Sequence, residues 1–151
     1  MRITKENINE FIKDSLMSCP NKGITHIEYI PDGITRLDCW NNKLTELPKL
    51  PNSLIGLYCG DNKLTELPKL PNSLIGLYCG DNKLTELPKL PNSLTNLNCS
   101  NNKLTELPKL PNSLYYLDCK HNNLPYLINI DNFKEHNTLI KRKEILSKIC
   151  G

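Results

Sequence analysis

The side chains with the most chemical potential in this chain are its cysteines, and six of the seven recur every twenty residues: Cys19, Cys39, Cys59, Cys79, Cys99 and Cys119. Cysteine can form disulfides, ligate metals or act as a nucleophile. The spacing argues against all three. There is no Cys-x-x-Cys pair, so neither a zinc site nor any other metal or cofactor is expected. Side chains repeated at a fixed period stack on neighbouring strands about 4.8 Å apart, farther than the ~3.8 Å between the Cβ atoms of a disulfide. The column is therefore read as reduced cysteine used as a small core hydrophobe, inert because buried. Reduced thiols suit an intracellular compartment. Cys150 lies outside the period and near a chain end, where a thiol should react. His26, His121 and His136 lie far apart and share no ligand spacing. There is no phosphate loop and no Ser-His-Asp order. No catalytic residue is expected, and the chain is not expected to be an enzyme.

The element that must position these residues is written in the period itself. The string NKLTELPKLPNS begins at Asn42, Asn62, Asn82 and Asn102, and Leu54–Ser73 is identical to Leu74–Ser93. A period this short predicts a solenoid, in which each turn buries its apolar face only against the next. At 151 residues, 38% apolar and 23% charged, the chain is long enough for one folded domain. A net charge of +3 is too small to imply nucleic-acid binding. No apolar run reaches the length of a membrane span, and MRITKENINEFIKDSL lacks the apolar stretch of a secretory signal. A cytoplasmic monomer is expected. Ala, Val and Gln are absent, a bias attributed to AT-rich codons.

One turn reads Leu54-x-x-Leu57-x-Cys59-x-x-Asn62-x-Leu64-x-x-Leu67-Pro68-x-Leu70-Pro71. This is the leucine-rich repeat pattern, with cysteine in the third apolar slot. Leu-x-Cys alternation predicts a very short strand with one face inward. Leu64, Leu67 and Leu70 turn inward along the return path. Asn42, Asn62, Asn82, Asn102 and Asn122 should form an internal ladder that satisfies backbone groups. Leu-Pro-x-Leu-Pro excludes a helix on the return side and predicts an extended, polyproline-like convex face. The wording resembles the short repeats of secreted bacterial effectors of the YopM and IpaH families, and the cysteine slot and codon bias are closer in style to the leucine-rich repeat proteins of giant viruses. The resemblance covers roughly residues 24–127. It implies an interaction scaffold working inside a cell, including a host cell. The IpaH type carries a separate ubiquitin-ligase domain with a catalytic Cys-x-Asp, and neither that motif nor room for that domain is expected here.

The ends need caps. Thr4 as N-cap and Ile8, Phe11, Ile12 and Leu16 at helical spacing predict an amphipathic capping helix over residues 1–17. Cys19, Ile24, Ile27, Ile30 and Pro31 keep the register of a degenerate first repeat, with Lys22 in the ladder position. Repeats are assigned to residues 18–127. A C-terminal helical cap follows over 128–151, with Asp131 as its cap and a break near Asn137-Thr138, because its apolar residues make two stripes.

Between Asn42 and Ser113 the repeats differ only at the second, third, fifth, seventh and eighth positions. These should face outward on the concave side. The candidate binding residues are Arg36, Asp38, Trp40, Tyr58, Tyr78, Asn96, Asn98, Tyr116, Asp118 and Lys120. Exposed Trp and Tyr are the types most enriched at interface hot spots, so a protein or peptide partner is expected. Two other readings stand beside this one: an adaptor acting through the basic Lys141-Arg142-Lys143 stretch, and a mainly structural repeat protein.

Overall fold

The computed structural model describes residues 1–150, the side chain of Cys150 excepted, so the expectation for that thiol lies outside the described residues. The chain begins with β1 (Arg2–Ile3), a 3₁₀ turn (Ile8–Phe11), β2 (Ile12–Lys13), β3 (Leu16–Ser18) and β4 (His26–Ile27). It continues with β5 (Arg36–Asp38), β6 (Gly56–Tyr58), β7 (Gly76–Tyr78), β8 (Asn96–Asn98) and β9 (Tyr116–Asp118), and ends in α1 (Phe133–Cys150). Strands β3 and β5 to β9 form a continuous parallel sheet with a register offset of one period, so Leu37, Leu57, Leu77 and Leu97 lie side by side. After each strand the chain turns a corner through the left-handed region. Asn21, Asn41, Asp61, Asp81, Asn101 and His121 carry φ between 51° and 56°. Asn, Asp and His are the residues other than glycine that best tolerate that conformation. The Asn/Asp preference at the eighth position is therefore a backbone requirement.

The core is a set of stacked columns. The six periodic cysteines are free thiols and all are buried. The asparagine ladder beside them satisfies four backbone groups per residue. Asn62 Nδ2 donates to the carbonyls of Cys39 at 3.0 Å, Cys59 at 3.2 Å and Gly60 at 3.1 Å, while its Oδ1 accepts the Leu44 N–H at 3.0 Å. Asn42 does the same for the first turn and also takes the backbone N–H of Lys22, which is how the ladder closes where Lys replaces Asn. A second ladder, unread in the sequence, runs along the return side. The hydroxyls of Ser73, Ser93 and Ser113 donate at 2.7 Å to the carbonyls of Leu54, Leu74 and Leu94 in the preceding turn. The return path carries no helix, as Leu-Pro-x-Leu-Pro demands. The Lys and Glu columns do not pair: the one contact of salt-bridge length among the described residues sets His26 Nδ1 3.8 Å from Glu46, an ion pair only when the imidazole is protonated.

The N-terminal cap is not the expected helix. Strand β1 pairs parallel with β4 and gives the return side a neighbour, and β2 turns back antiparallel on β3 to cover the sheet edge. Asp14 makes the hairpin turn at φ 55°. Thr4 does not cap a helix; its N–H goes to Asn7 Oδ1. The reason is competition from the sheet. Met17-x-Cys19 has the spacing of Leu37-x-Cys39, and burying both side chains in those columns holds residues 16–18 extended. Ile3 and Ile8 still plug the first turn, with Phe11 and Ile12 packed beside them. The first turn's strand thus begins two residues before the expected boundary at 18.

The C-terminal helix is present, but it is unbroken and Asp131 does not cap it. Asn132 organises its start: its carbonyl accepts the N–H of Glu135, and its side chain bridges Asn129 and Leu127. The expected break is the docking point. Asn137 makes a reciprocal pair with the Leu110 backbone, Nδ2 to O at 2.7 Å and Oδ1 from N at 2.8 Å. His136 is buried between the Tyr126 hydroxyl and the Pro108 carbonyl. Replacing Asn137 by Ala leaves two partly buried groups of Leu110 unpartnered, each such loss costing about 1–3 kcal/mol. Urea unfolding of Asn137→Ala should show a drop of that order, with faster amide exchange along α1. Unchanged stability and exchange would show that the helix is held elsewhere.

Candidate functional site

The outer face of the sheet collects the third and fifth positions of every turn. Tyr58 and Tyr78 stack on one another, with ring centroids 4.7 Å apart and planes 6° from parallel. Arg36 covers Tyr58 from the neighbouring strand, its guanidinium carbon 4.5 Å from the ring centroid. Each tyrosine leans over the glycine two residues before it: a Cβ on Gly56 or Gly76 would come within 3.1 Å of the ring of Tyr58 or Tyr78, respectively. Burial beside Tyr58 pushes the Tyr78 hydroxyl pKa up.

Because the rings lean toward the third position, the seventh position is left uncovered. There a cleft of about 490 Å³ opens, floored by Gly60 and Gly80. Trp40 walls one end, close enough that a Cβ on Gly60 would touch its indole at 3.1 Å. Asn98 and Ser100 stand at the other end, and a Cβ on Gly80 would press on Asn98 Oδ1 at 2.9 Å. Asp38, Asp81, Asn21 and Pro20 complete the rim. Trp40 is 46% exposed.

Of the expected site residues, the structure brings Asp38, Trp40, Tyr58, Tyr78 and Asn98 together around this cleft, with Arg36 on the outer side of the tyrosine stack. Asn96 borders a shallower groove beside Tyr58 and Tyr78, together with Arg36. Tyr116, Asp118 and Lys120 lie two strands beyond Tyr78 and are not part of it. Three candidates also have a local duty: Asp38, Asn98 and Asp118 accept the backbone N–H two residues on, at 3.1–3.2 Å. Where Tyr replaces that acceptor, the seventh residue is glycine. Sequence reading missed Asn21, Asp81 and the glycine floor as site elements. The pairing of Tyr at the fifth position with Gly at the seventh was the available signal.

The cysteines are placed as a core, not a site. Burial holds every periodic thiol above its ordinary pKa of 9.0, Cys79 up to about 12. Cys39, Cys59 and Cys99 are raised well above it, by burial first and neighbouring column thiols second. The string Cys-x-Asp does occur, at Cys59-Gly60-Asp61 and Cys79-Gly80-Asp81, but both thiols face inward and are fully buried. No group of three or more His, Cys, Asp or Glu side chains converges as metal ligands among the described residues.

The Leucine Rich Repeat family model matches residues 93–114. Three solved structures superpose closely. YopM from Yersinia enterocolitica WA-314 is 38% identical at a TM-score of 0.71, over 74% of this chain and 26% of that one. A Shigella effector leucine-rich repeat domain is 39% identical at 0.74, over 82% and 56%. YopM of Yersinia pestis, described as a leucine-rich effector protein, is 36% identical at 0.70, over 77% and 34%. The fold is a leucine-rich repeat solenoid. The chain spans between about a quarter and somewhat over half of the length of these structures. No curated protein matches it. Leucine-rich repeat solenoids serve in general as scaffolds for protein interaction, with the extended sheet face as the surface that side chains decorate.

The thiol column makes the solenoid's stability depend on pH. In the unfolded chain a thiol releases its proton near 9.0, whereas folded Cys79 holds it to about 12. Between those values the unfolded state binds fewer protons, so stability falls as pH rises, by up to about 1.4 kcal/mol per pH unit for each thiol. Below 9.0 both states are protonated and the contribution is flat. The melting temperature should therefore hold from neutral pH to near 9.0 and fall above it, less steeply in Cys79→Ala. Equal alkaline slopes in the two proteins would contradict a buried, protonated column.

Proposed function

We propose that this chain is a non-enzymatic interaction module that holds an extended protein or peptide segment along the outer, concave face of its sheet. One observation carries the reading: the chain's single tryptophan and a stacked tyrosine pair surround an open glycine-floored cleft on a sheet whose inward Leu-x-Cys pair is the same in every turn from β5 to β9. Trp40, Tyr58 and Tyr78 act as anchors. Arg36 and Asp38 flank them on one side, and Asn96, Asn98, Tyr116, Asp118 and Lys120 extend the surface on the other. The likeness to Yersinia and Shigella effector proteins supports a role as a host-directed binding module, and the column of free thiols supports an intracellular site of action. Cysteine in the third apolar slot and the AT-rich bias support a giant-virus source.

A second reading has its own observation. Leu139, Ile145, Leu146 and Ile149 of α1 are exposed, next to Lys141-Arg142-Lys143. An adaptor acting through this helix would use those side chains, with the solenoid as spacer.

The two readings separate by mutation once a partner is isolated. Tyr58→Ala with Tyr78→Ala should weaken binding about tenfold or more, since aromatic anchors carry about 2 kcal/mol or more at a hot spot. Lys63→Glu with Lys83→Glu, off the sheet face, should change little, as should Leu146→Ser with Ile149→Ser. Titration calorimetry decides. Binding that survives the tyrosine changes and is lost on the helix changes would move the function to α1.

A further inference from the structure

The cleft beside the tyrosine stack has a charge as well as a shape. Its rim carries two carboxylates, Asp38 and Asp81, and no basic side chain. Neither carboxylate forms an ion pair among the described residues. One oxygen of Asp38 accepts the backbone N–H of Trp40 at 3.2 Å, and both residues line the cleft. Arg36 is committed to the ring of Tyr58 and borders the neighbouring groove instead. The floor carbonyls are already spent: Gly60 O accepts from Asn41 and Asn62, and Gly80 O from Asp61 and Asn82. The Gly60 and Gly80 N–H groups have no partner among the described residues, because tyrosine stands where Asp38 and Asn98 supply the acceptor in other turns, so the floor can take a backbone carbonyl of the partner, and it admits close approach because it carries no side chains. What remains is a flat aromatic wall with two carboxylates at the rim.

From this geometry we propose that the cleft between Trp40 and Asn98 is a subsite for one cationic, planar side chain of the partner, an arginine. The proposal rests on the concave-face reading and adds the partner's chemistry to it. A guanidinium can lie against the indole and present its fork of donors to Asp38, with Asp81 adding negative charge two turns on, whereas an ammonium is a point charge that does not stack. The same surface already takes one guanidinium in this way, in the contact of Arg36 on Tyr58. A carboxylate or an apolar side chain at the same place would leave both aspartates unpaired.

Trp40 is the only tryptophan, so its fluorescence reports on the cleft directly. The probes are short Gly/Ser peptides that differ only in a central residue: Arg, Lys, citrulline or Glu. The full chain should bind the Arg peptide with a change in Trp40 emission, about tenfold more tightly than the isosteric but neutral citrulline peptide, with Lys between them and Glu not binding. Asp38→Asn with Asp81→Asn should erase the Arg preference while leaving the melting temperature in place, because Asn at position 38 can still accept the Trp40 N–H as Asn98 does for Ser100. Equal binding of the Arg, citrulline and Glu peptides, all lost in Tyr58→Ala/Tyr78→Ala, would overturn the arginine assignment and leave the concave face as a binding surface. No Trp40 response to any peptide would overturn the subsite itself. The concave-face reading would then be judged by the tyrosine variants and an isolated partner.

Discussion

A buried amide that must satisfy two turns at once is the constraint on which this molecule is built. Each ladder asparagine donates to carbonyls of its own turn and of the one before, and accepts an N–H from that earlier turn. The bonds cross the turn-to-turn joint at the corner where the chain leaves the sheet. Water cannot replace them, because Asn42, Asn62 and Asn102 are nearly buried. An interior carbonyl without a partner is costly, so every turn must repeat the same geometry. The strict twenty-residue period is the visible result. The cysteine column follows: a small, apolar side chain packs beside the ladder without a second polar demand, and burial keeps it protonated.

With the interior so constrained, freedom is confined to the outer face of the sheet, and even there it is partial. The eighth position must adopt a left-handed corner, which limits it to Asn, Asp and one His. The fifth is either an acceptor for the seventh N–H or a tyrosine paired with glycine. Two identical turns of the tyrosine-glycine kind, placed between Trp40 and Asn98, give at once the stacked rings and the open floor. The cleft is a consequence of repeat identity: two neighbouring turns omit the same side chain, and the gaps merge.

Most of the fold was legible in the residues, because a period exposes its own alignment. The inward columns, the asparagine ladder and the helix-free return path follow from position within the repeat and from Leu-Pro chemistry. The ends were harder, since periodicity gives no second copy to compare. Ile8, Phe11, Ile12 and Leu16 do fall at helical spacing, yet Met17-x-Cys19 is bound to the sheet, and pairing with β5 outweighs a local helical preference. At the other end, Asn137 looked like a helix breaker and is a tether, its amide pairing with both the carbonyl and the N–H of Leu110. The candidate residues were found as a set, but their grouping depends on the lean of two tyrosine rings, which no spacing rule encodes.

The ladder's role is tested most directly by Asn62→Ala, measured by urea unfolding together with amide exchange. Removing the amide strands the Leu44 N–H in the interior and leaves the carbonyls of Cys39 and Cys59 with one donor each, from Asn42 and Asn82. Stability should fall by about 1–3 kcal/mol, and the Leu44 amide should lose its protection along with neighbours on both sides of the joint. A variant within about 0.5 kcal/mol of the parent, with Leu44 still protected, would mean that apolar stacking alone holds the turns together and that the ladder is not what sets the period.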